Sequence, residues 1–335
     1  MEKTVRLLAG LLALQLLLAL GLGTLGPDLG EAEAGGALLA FDDAAVDQVT
    51  VADGAGARTV LARGEEGWVL PDAGGFPADG DKVEGLLERL AALQATVPVA
   101  TSAGARERFR VAEDAHERRI VLEGGGATLA ELFLGTSQGV RQVHARAGDG
   151  DAIVPVELPT YEAPTDPDDW LDRSVLQFDA ATVRTVRLDG LVLRRGTGST
   201  PEGNEAPVWS AEGLPEGRNL ASEAVGTLVD RLAELRIGGL LPGERTEAEV
   251  GLDDPVLDVE FERDAGGAVR YRLGRLPEDD GYALAVSTRE ERFRMPVYSA
   301  RPILEAASLD ALAPAAEEET EPADDAGDGT AVPEA

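Results

Sequence analysis

The segment Asp81–Ala95 reads DKVEGLLERLAALQA and is the most periodic stretch after the first 40 residues. Its apolar residues recur three and four positions apart, which places them on one face of an α-helix, with charged residues on the other face. Asp79 or Asp81 can cap the start of this helix, and Pro98 closes the region. The segment is therefore predicted to be an amphipathic helix. Its apolar residues are Val83, Leu86, Leu87, Leu90 and Leu93.

The same helical pattern occurs a second time, which indicates an internal repeat. The matching apolar residues are Val225, Leu228, Val229, Leu232 and Leu235. Trp68 and Trp209 each precede a helix, and Leu134-Gly135 reappears as Leu273-Gly274. Val154-Pro155-Val156 is matched with Met295-Pro296-Val297. Matches in the same order at a nearly constant offset predict a tandem duplication, with one unit over 41–157 and the other over 181–312.

Short runs with strand-like alternation surround each helix and outnumber it. In the first unit they are Val46–Val51, Thr59–Leu61, Gly67–Leu70, Arg119–Leu122, Leu129–Leu134, Val140–Ala145 and Ala152–Val156. Short connections favour antiparallel pairing, and one helix can cover one face of such a sheet. The predicted fold class is α+β, an N-terminal transmembrane helix followed by two tandem repeats, each a mainly antiparallel sheet with one amphipathic helix.

The run Leu7–Leu25 is apolar apart from Gln15 and Thr24. About twenty such residues span the hydrocarbon core of a bilayer, so residues 7–26 are predicted to be a single-pass anchor. Lys3 and Arg6 place residues 1–6 in the cytoplasm by the positive-inside rule. The protein is therefore expected in the inner membrane, with the bulk of the chain in the periplasm. A cleavable signal peptide is the alternative, with Ala32-Glu33-Ala34 as its cleavage site, but such apolar cores are shorter.

Three further segments are predicted to lie outside the repeats. Residues 27–40 are rich in Gly and Ala and are predicted to be a stalk. Residues 158–180 contain three prolines and the sequence Trp170-Leu171-Asp172-Arg173, which predicts a linker with a short helix. Residues 313–335 contain acidic but no basic residues, which is typical of a disordered tail.

Composition excludes several functions. The chain has no cysteine, which excludes disulfides and thiolate chemistry. Its net charge of −32 argues against a nucleic-acid partner, because phosphates need a basic surface, and fits a solvated acidic exterior. Gly124-Gly125-Gly126 lacks the Lys-Ser/Thr of a phosphate loop, so no nucleotide is expected.

Candidate catalytic and metal-binding residues are isolated. His116 and His144 belong to no zinc-binding spacing, and structural or surface roles are favoured for both. Gly135-Thr136-Ser137-Gln138-Gly139 fits a nucleophile elbow formally, but a strand is predicted after it, so a hairpin turn is favoured. The acidic cluster of Asp166, Asp168, Asp169 and Asp172 lacks a calcium-loop pattern and is interpreted as a helix N-terminus. We predict no catalytic residue, cofactor or metal site.

Trp68, Trp170 and Trp209 are three large side chains in a chain whose aromatic content is 4%. Such residues can line a ligand groove or a partner interface. The duplicated position of Trp68 and Trp209, each on a strand before a helix, favours packing in the core instead. These three residues are the candidates for contact with a ligand or partner.

Several signatures together resemble a bacterial family called domain of unknown function 4340. They include Pro77-Ala78-Asp79 before the first helix, Arg108-Phe109-Arg110-Val111, Leu134-Gly135, Trp170-Leu171-Asp172-Arg173 and Val250-Gly251-Leu252-Asp253-Asp254-Pro255. The resemblance covers nearly all of residues 41–310. It implies that the protein accompanies an ABC exporter of the gliding-motility type, with a permease and an ATPase as partners. It supplies no catalytic residues.

The expected function is that of a non-catalytic, membrane-anchored periplasmic auxiliary or scaffold component of an ABC-type transport system. The alternative is a stand-alone periplasmic envelope protein that binds a ligand or acts as a scaffold. An extracytoplasmic hydrolase is the third class, and it is disfavoured because the sequence shows no pair of nucleophile and base.

Overall fold

The computed structural model describes Gln15 and residues 35–199, 205–243, 245–264, 266–277 and 280–316. The predicted cytoplasmic end, the alternative cleavage site at residues 32–34, the start of the stalk and nearly all of the acidic tail lie outside these residues. So does the predicted anchor except for Gln15. Among the residues that are described, no helix has both the length and the apolar character to cross a bilayer.

The chain divides into two compact units, and the boundary falls between Asp172 and Arg173. Each unit contains one antiparallel sheet of eight strands and a small number of helices. The predicted α+β class with two tandem β-rich repeats is therefore confirmed. The boundary lies inside the segment 158–180 that was predicted to be a linker.

The sheet of the first unit has the strand order β4-β3-β2-β1-β5-β6-β7-β8. Its strands are β1 (Gln48–Ala52), β2 (Arg58–Gly64), β3 (Gly67–Leu70), β4 (Phe76–Pro77), β5 (Arg118–Gly124), β6 (Ala127–Ser137), β7 (Val143–Ala147) and β8 (Val154–Val156). Its helices are α1 (Gly80–Ala92) and α2 (Ala103–Phe109). Four 3₁₀ turns complete it, at Asp43–Ala45, Pro71–Ala73, Thr160–Glu162 and Pro167–Trp170.

The sheet of the second unit has the order β11-β10-β9-β13-β14-β15-β16-β12. Its strands are β9 (Val183–Leu188), β10 (Leu191–Ser199), β11 (Glu205–Glu212), β12 (Gly239–Leu241), β13 (Leu257–Arg263), β14 (Ala268–Arg275), β15 (Tyr282–Val286) and β16 (Arg292–Met295). Its helices are α3 (Ser222–Ala233), α4 (Val297–Ala306) and α5 (Leu309–Leu312). Its 3₁₀ turns are Ala180–Thr182 and Ala248–Val250.

Helices α1 and α3 bury the apolar faces that their periodicity predicts. Asp79 caps α1, because its Oδ1 accepts a hydrogen bond of 3.1 Å from the backbone N of Lys82. The fifth predicted apolar residue of each helix, Leu93 or Leu235, lies just beyond the helix and is also buried. The other buried predicted residues are Val83, Leu86, Leu87 and Leu90 in α1, and Val225, Leu228, Val229 and Leu232 in α3.

Strand registers test the alignment of the two repeats. Val49 pairs with Leu61 and Leu122, as Val186 pairs with Leu193 and Phe261. Trp68 lies opposite Arg63, and Trp209 lies opposite Arg195. The first strands of the two units therefore correspond, and the predicted correspondence of the two tryptophans is confirmed.

One predicted match is out of register. Leu134 pairs with Ala145, which pairs with Val154, whereas Leu273 pairs with Leu284, which pairs with Phe293. Val154 therefore corresponds to Phe293 and not to Met295. The match between the two proline-containing segments was wrong by two residues, because Pro155 lies inside its strand whereas Pro296 follows β16 and is the N-cap of α4.

A contact common to both units explains the repeated Leu-Gly pair. A side chain at Gly135 would overlap the backbone carbonyl oxygens of Phe109 and Arg110. A side chain at Gly274 would overlap the backbone of Gly251. Arg110 and Gly251 both have a positive φ, of 56° and 68°. The glycine of each pair thus lets a left-handed turn pack directly against the sheet.

In both units the start of the long helix is hydrogen-bonded to the last segment of the unit. The backbone N of Asp79, at the start of α1, donates to the carbonyl of Trp170 over 2.7 Å. In the second unit the backbone N of Ala221, at the start of α3, donates to the carbonyl of Leu312 over 2.9 Å. Trp170 and Leu312 are both fully buried. The 3₁₀ turn Pro167–Trp170, here called the Trp170 segment, therefore packs against the start of α1 as α5 packs against the start of α3.

Candidate functional site

The three tryptophans are almost entirely buried within their own units. Trp68, Trp170 and Trp209 are 4%, 0% and 6% exposed. The Nε1 of Trp68 donates to Oε1 of Glu84 on α1 over 2.7 Å, and the guanidinium of Arg63 lies 4.6 Å above the indole ring. Trp68 thus joins β3 to α1.

Trp170 and Trp209 also contact the main helix of their unit. The Nε1 of Trp170 donates to the carbonyl of Pro164 over 2.9 Å, and Nζ of Lys82 lies 4.8 Å above its ring. The backbone N of Trp209 donates to Oγ of Ser222 on α3 over 2.8 Å. Burial leaves little ring surface for a second molecule, and contact of these residues with a ligand or partner stays a prediction.

His144 lies on β7 with both ring nitrogens engaged. Nδ1 lies 2.8 Å from the carbonyl oxygen of Thr136. A carbonyl oxygen is only an acceptor, so Nδ1 carries the proton and donates it. Nε2 then accepts a hydrogen bond of 2.7 Å from the side-chain amide of Gln138. The ring packs on Phe109 with a centroid distance of 4.2 Å. These contacts hold the ring in place and involve neutral groups. They fit a structural role.

His116 and Ser137 have local partners as well. Nδ1 of His116 lies 3.3 Å from the carbonyl oxygen of Ala112, and its ring meets the edge of Phe133. Oγ of Ser137 donates to the carbonyl of Gly139. Ser137 ends β6, which pairs with β7 in antiparallel fashion, so the formal elbow motif is a β-hairpin connection, as predicted.

The acidic cluster starts a 3₁₀ turn. Oδ1 of Asp166 accepts from the backbone N of Asp168 over 3.0 Å, which caps the turn Pro167–Trp170. The carbonyl of Asp169 accepts from Nζ of Lys82. Across the described ranges of the chain, no three acidic or histidine side chains are grouped so that they could hold a metal ion.

A pocket of about 290 Å³ lies on the sheet of the second unit. We call it the arginine pocket, because Arg270, Arg272, Arg289 and Arg292 line it together with Glu247, Glu290 and Glu291. Its floor is a cross-strand row in which Arg272 pairs with Ala285 and Ala285 pairs with Arg292. The small side chain of Ala285 leaves the space between the two arginines open.

Ion pairs organise the rim of the arginine pocket. Arg272 donates to both carboxylate oxygens of Glu247, over 3.1 and 2.6 Å. These hydrogen bonds lower the pKa of Glu247 and raise the pKa of Arg272. Arg292 donates from Nη1 to the backbone carbonyl of Arg245, which is an uncharged acceptor. Four guanidinium groups and three carboxylates line the pocket, and a guanidinium group whose partner is uncharged can bind an anion.

The model of one protein family matches residues 68–255, which is more than half of the chain. The family is a domain of unknown function, DUF4340. The chain belongs to this family. No curated protein and no protein of solved structure matches the chain.

The DUF4340 match begins at Trp68 on β3 and ends at Pro255, before β13. Of the residues that line the arginine pocket, Glu247 lies within the match, whereas all four arginines follow it. This pocket was not predicted from the sequence. A signal was present in β14, where Arg270 and Arg272 alternate with the buried Val269, Tyr271 and Leu273, which places both arginines on the polar face.

Proposed function

We propose that this DUF4340 protein is a non-catalytic, membrane-anchored periplasmic component of an ABC-type transport system. The observation that carries the proposal is the run Leu7–Leu25, which has the length and composition of a membrane span and is preceded by Lys3 and Arg6. A chain with this segment would be held in the inner membrane with its two units outside the cytoplasm. The proposed partners are a permease and an ATPase.

The duplicated architecture supports a role in contacts rather than in chemistry. Each unit is a sheet covered by one main helix, and the residues that sequence motifs suggested for catalysis are engaged in structural hydrogen bonds. The resemblance to relatives that accompany ABC exporters supports the choice of partner. In this role the two units would present protein surfaces to the permease or to its cargo.

A stand-alone periplasmic protein that binds a ligand or acts as a scaffold is the second candidate. The arginine pocket of the second unit favours it, because this pocket is a concave, charged surface with room for a small molecule. This function needs no permease or ATPase.

The first experiment is a crosslinked pull-down from native membranes with the anchor intact. We expect an ABC permease and its ATPase to be recovered with the protein. The matched control replaces Leu7–Leu25 with an unrelated membrane-spanning segment of the same length and should recover the same partners, because the proposed contacts lie in the two units. Recovery of the intact protein alone would contradict the transport role and favour the stand-alone protein.

A further inference from the structure

The two units differ at one equivalent position of their sheets. In the first unit Phe133 on β6 pairs with Arg146 on β7. In the second unit Arg272 on β14 pairs with Ala285 on β15. These pairs are equivalent because each lies next to a pair made by the leucine of a Leu-Gly motif, Leu134 or Leu273.

In the first unit this position is filled. Arg146 is 2% exposed, and its guanidinium lies 4.5 Å from the centre of the Phe133 ring. Its Nε donates to the carbonyl of Val111 over 2.8 Å, and its Nη1 donates to the carbonyls of Ala147, Gly148 and Gly150. Phe133 packs in a buried apolar cluster with Ala105 of α2, Val111 and Ile153.

In the second unit the same position is open. Ala285 replaces Arg146; it packs on one side against a buried apolar cluster and also lines the pocket. Arg272 replaces Phe133, and Arg292 replaces Ile153, the residue before β8. The segment equivalent to α2 is reduced to the 3₁₀ turn Ala248–Val250. These changes create the arginine pocket where the first unit has a buried side chain.

The charged side chains of the arginine pocket indicate the charge of a ligand that could bind there. The buried guanidinium of the first unit has four carbonyl acceptors and an aromatic face, whereas in the second unit guanidinium groups line an open pocket. Glu247 neutralises Arg272, and Glu291 lies 3.7 Å from Arg289. Arg270 is paired with Asp258. Arg292 is bonded to an uncharged carbonyl oxygen, so it is the guanidinium group that offers its charge to an anion.

We propose that the arginine pocket binds a compact anionic group, a carboxylate or an oxyanion such as sulfate or phosphate, carried by a small ligand. Arg292 would hold the anion above Ala285, beside the ion pair of Arg272 with Glu247. A volume of about 290 Å³ suits a small molecule and is at the lower limit for ligand pockets. This site lies within one unit and does not depend on the transport role.

The test is calorimetric titration of the full-length protein in detergent at low ionic strength. Citrate, sulfate and inorganic phosphate are the probes, and sodium chloride at matched ionic strength is the blank. We expect saturable binding of at least one probe. Stronger binding of citrate would indicate a carboxylate ligand, and stronger binding of sulfate or phosphate would indicate an oxyanion ligand.

Three variants locate the binding. Arg292→Gln removes the charge and should weaken binding by about tenfold or more, because charge-assisted hydrogen bonds are lost. Ala285→Met fills the pocket without changing the charge and should abolish binding. Arg231→Gln, on the exposed surface of α3, is the matched control and should bind like the parent protein.

Thermal unfolding of each variant without ligand verifies that it is folded. Two results would overturn the proposal. The first is the absence of saturable binding of all three probes to the parent protein. The second is binding that Arg292→Gln and Ala285→Met leave unchanged, or that Arg231→Gln weakens equally, because the anion would then lie elsewhere or respond only to net charge. Neither result bears on the pull-down of a permease.

Discussion

The sheet face turned away from the main helix carries a small apolar cluster in both units, but beside it the first unit buries Arg146 on Phe133 whereas the second unit has an open, charged pocket. In the first unit, Phe133 and Ile153 of this face lie under α2. In the second unit, Arg187 contacts Glu260 and Glu262 over 3.1 and 2.9 Å. Both units therefore have apolar packing on this face as well as on the helix-covered face. The difference is confined to the position of Phe133 and Arg146, which buried side chains fill in the first unit and charged side chains line in the second.

A second difference concerns the left-handed turn that packs on the Leu-Gly glycine. The turn residue is Arg110 in the first unit and Gly251 in the second. A side chain at Gly251 would overlap the backbone of Arg275, which continues β14 in regular register. In the first unit the register shifts between Leu134 and Ser137, and this irregularity coincides with a turn that accommodates an arginine.

The largest expected effect comes from removing the buried side chain that packs at the start of the long helix in each unit. Trp170→Ala should lower the free energy of unfolding of the first unit by about 3–5 kcal/mol, since it removes a fully buried indole. Leu312→Ala should lower that of the second unit by about 2–4 kcal/mol. Hydrogen exchange, read separately for α1 and α3, measures both.

The control for this pair is Val140→Ala, because Val140 is 94% exposed. It should change the stability of either unit by less than about 0.5 kcal/mol. If Trp170→Ala left the exchange of α1 unchanged, the Trp170 segment would not be the closing element of the first unit.

An intermediate effect is expected at the left-handed turns. Gly251→Ala should destabilise the second unit by about 2–3 kcal/mol, because it combines a positive φ with overlap against the Arg275 backbone. Arg110→Gly should change the free energy of unfolding of the first unit by no more than about 1 kcal/mol. Glycine relieves the backbone strain of the positive φ at this position, but it also makes the unfolded chain more flexible, and the two effects oppose each other.

Chemical denaturation of these two variants distinguishes the turns. Gly226→Ala serves as a control on α3, where the added methyl group meets no neighbouring atom and should be slightly stabilising. Equal destabilisation by Gly251→Ala and Arg110→Gly would show that the two turns are under the same constraint despite their different residues.

The smallest effect is a difference in acid sensitivity. Hydrogen bonds from Arg270 lower the pKa of Asp258, and those from Arg187 lower the pKa of Glu262. Because these pKa values fall on folding, the stabilisation is present above the usual carboxyl range near pH 4 and is lost as the pH falls through the lowered values. The second unit should therefore lose protection in α3 between about pH 4 and pH 2.

Asp258→Asn is the variant that sharpens this prediction. It removes one titrating carboxylate from the charged face, and the pH dependence of hydrogen exchange in α3 should become shallower. Glu305→Gln, on the exposed surface of α4, provides a control of equal charge change. An unchanged slope in Asp258→Asn would show that its pair with Arg270 contributes nothing to the stability of the second unit.

Much of the fold was accessible from local pattern. The buried faces of α1 and α3 and the correspondence of Trp68 with Trp209 follow from periodicity and repetition. A further repeat was overlooked at Phe41-Asp42 and Phe178-Asp179, where each aspartate caps the 3₁₀ turn that precedes the first strand of its unit. The strand predicted at residues 140–145 begins at Val143, because the end of β6 and the hairpin loop occupy residues 137–142.

The predictions from the sequence were wrong where strand register determines which residues are neighbours. Val154-Pro155-Val156 was matched by its proline, but the true partner of Val154 depends on the lengths of the hairpins on either side. The candidate site was affected in the same way. The tryptophans stand out in the sequence, yet they are buried, while the arginine pocket depends on a small residue, Ala285, that carries no signal of its own.

The sequence by itself determined that the protein contains two copies of one α+β unit, which face of each helix is buried, and that an apolar run precedes both copies. Periodicity encodes these features because neighbours along a helix or strand have a constant geometry. Only the tertiary structure decided that Ala285 lies between Arg272 and Arg292 and that Arg146 is buried on Phe133. Cross-strand neighbours are set by turns, bulges and packing between distant segments, and these relations are absent from any local pattern.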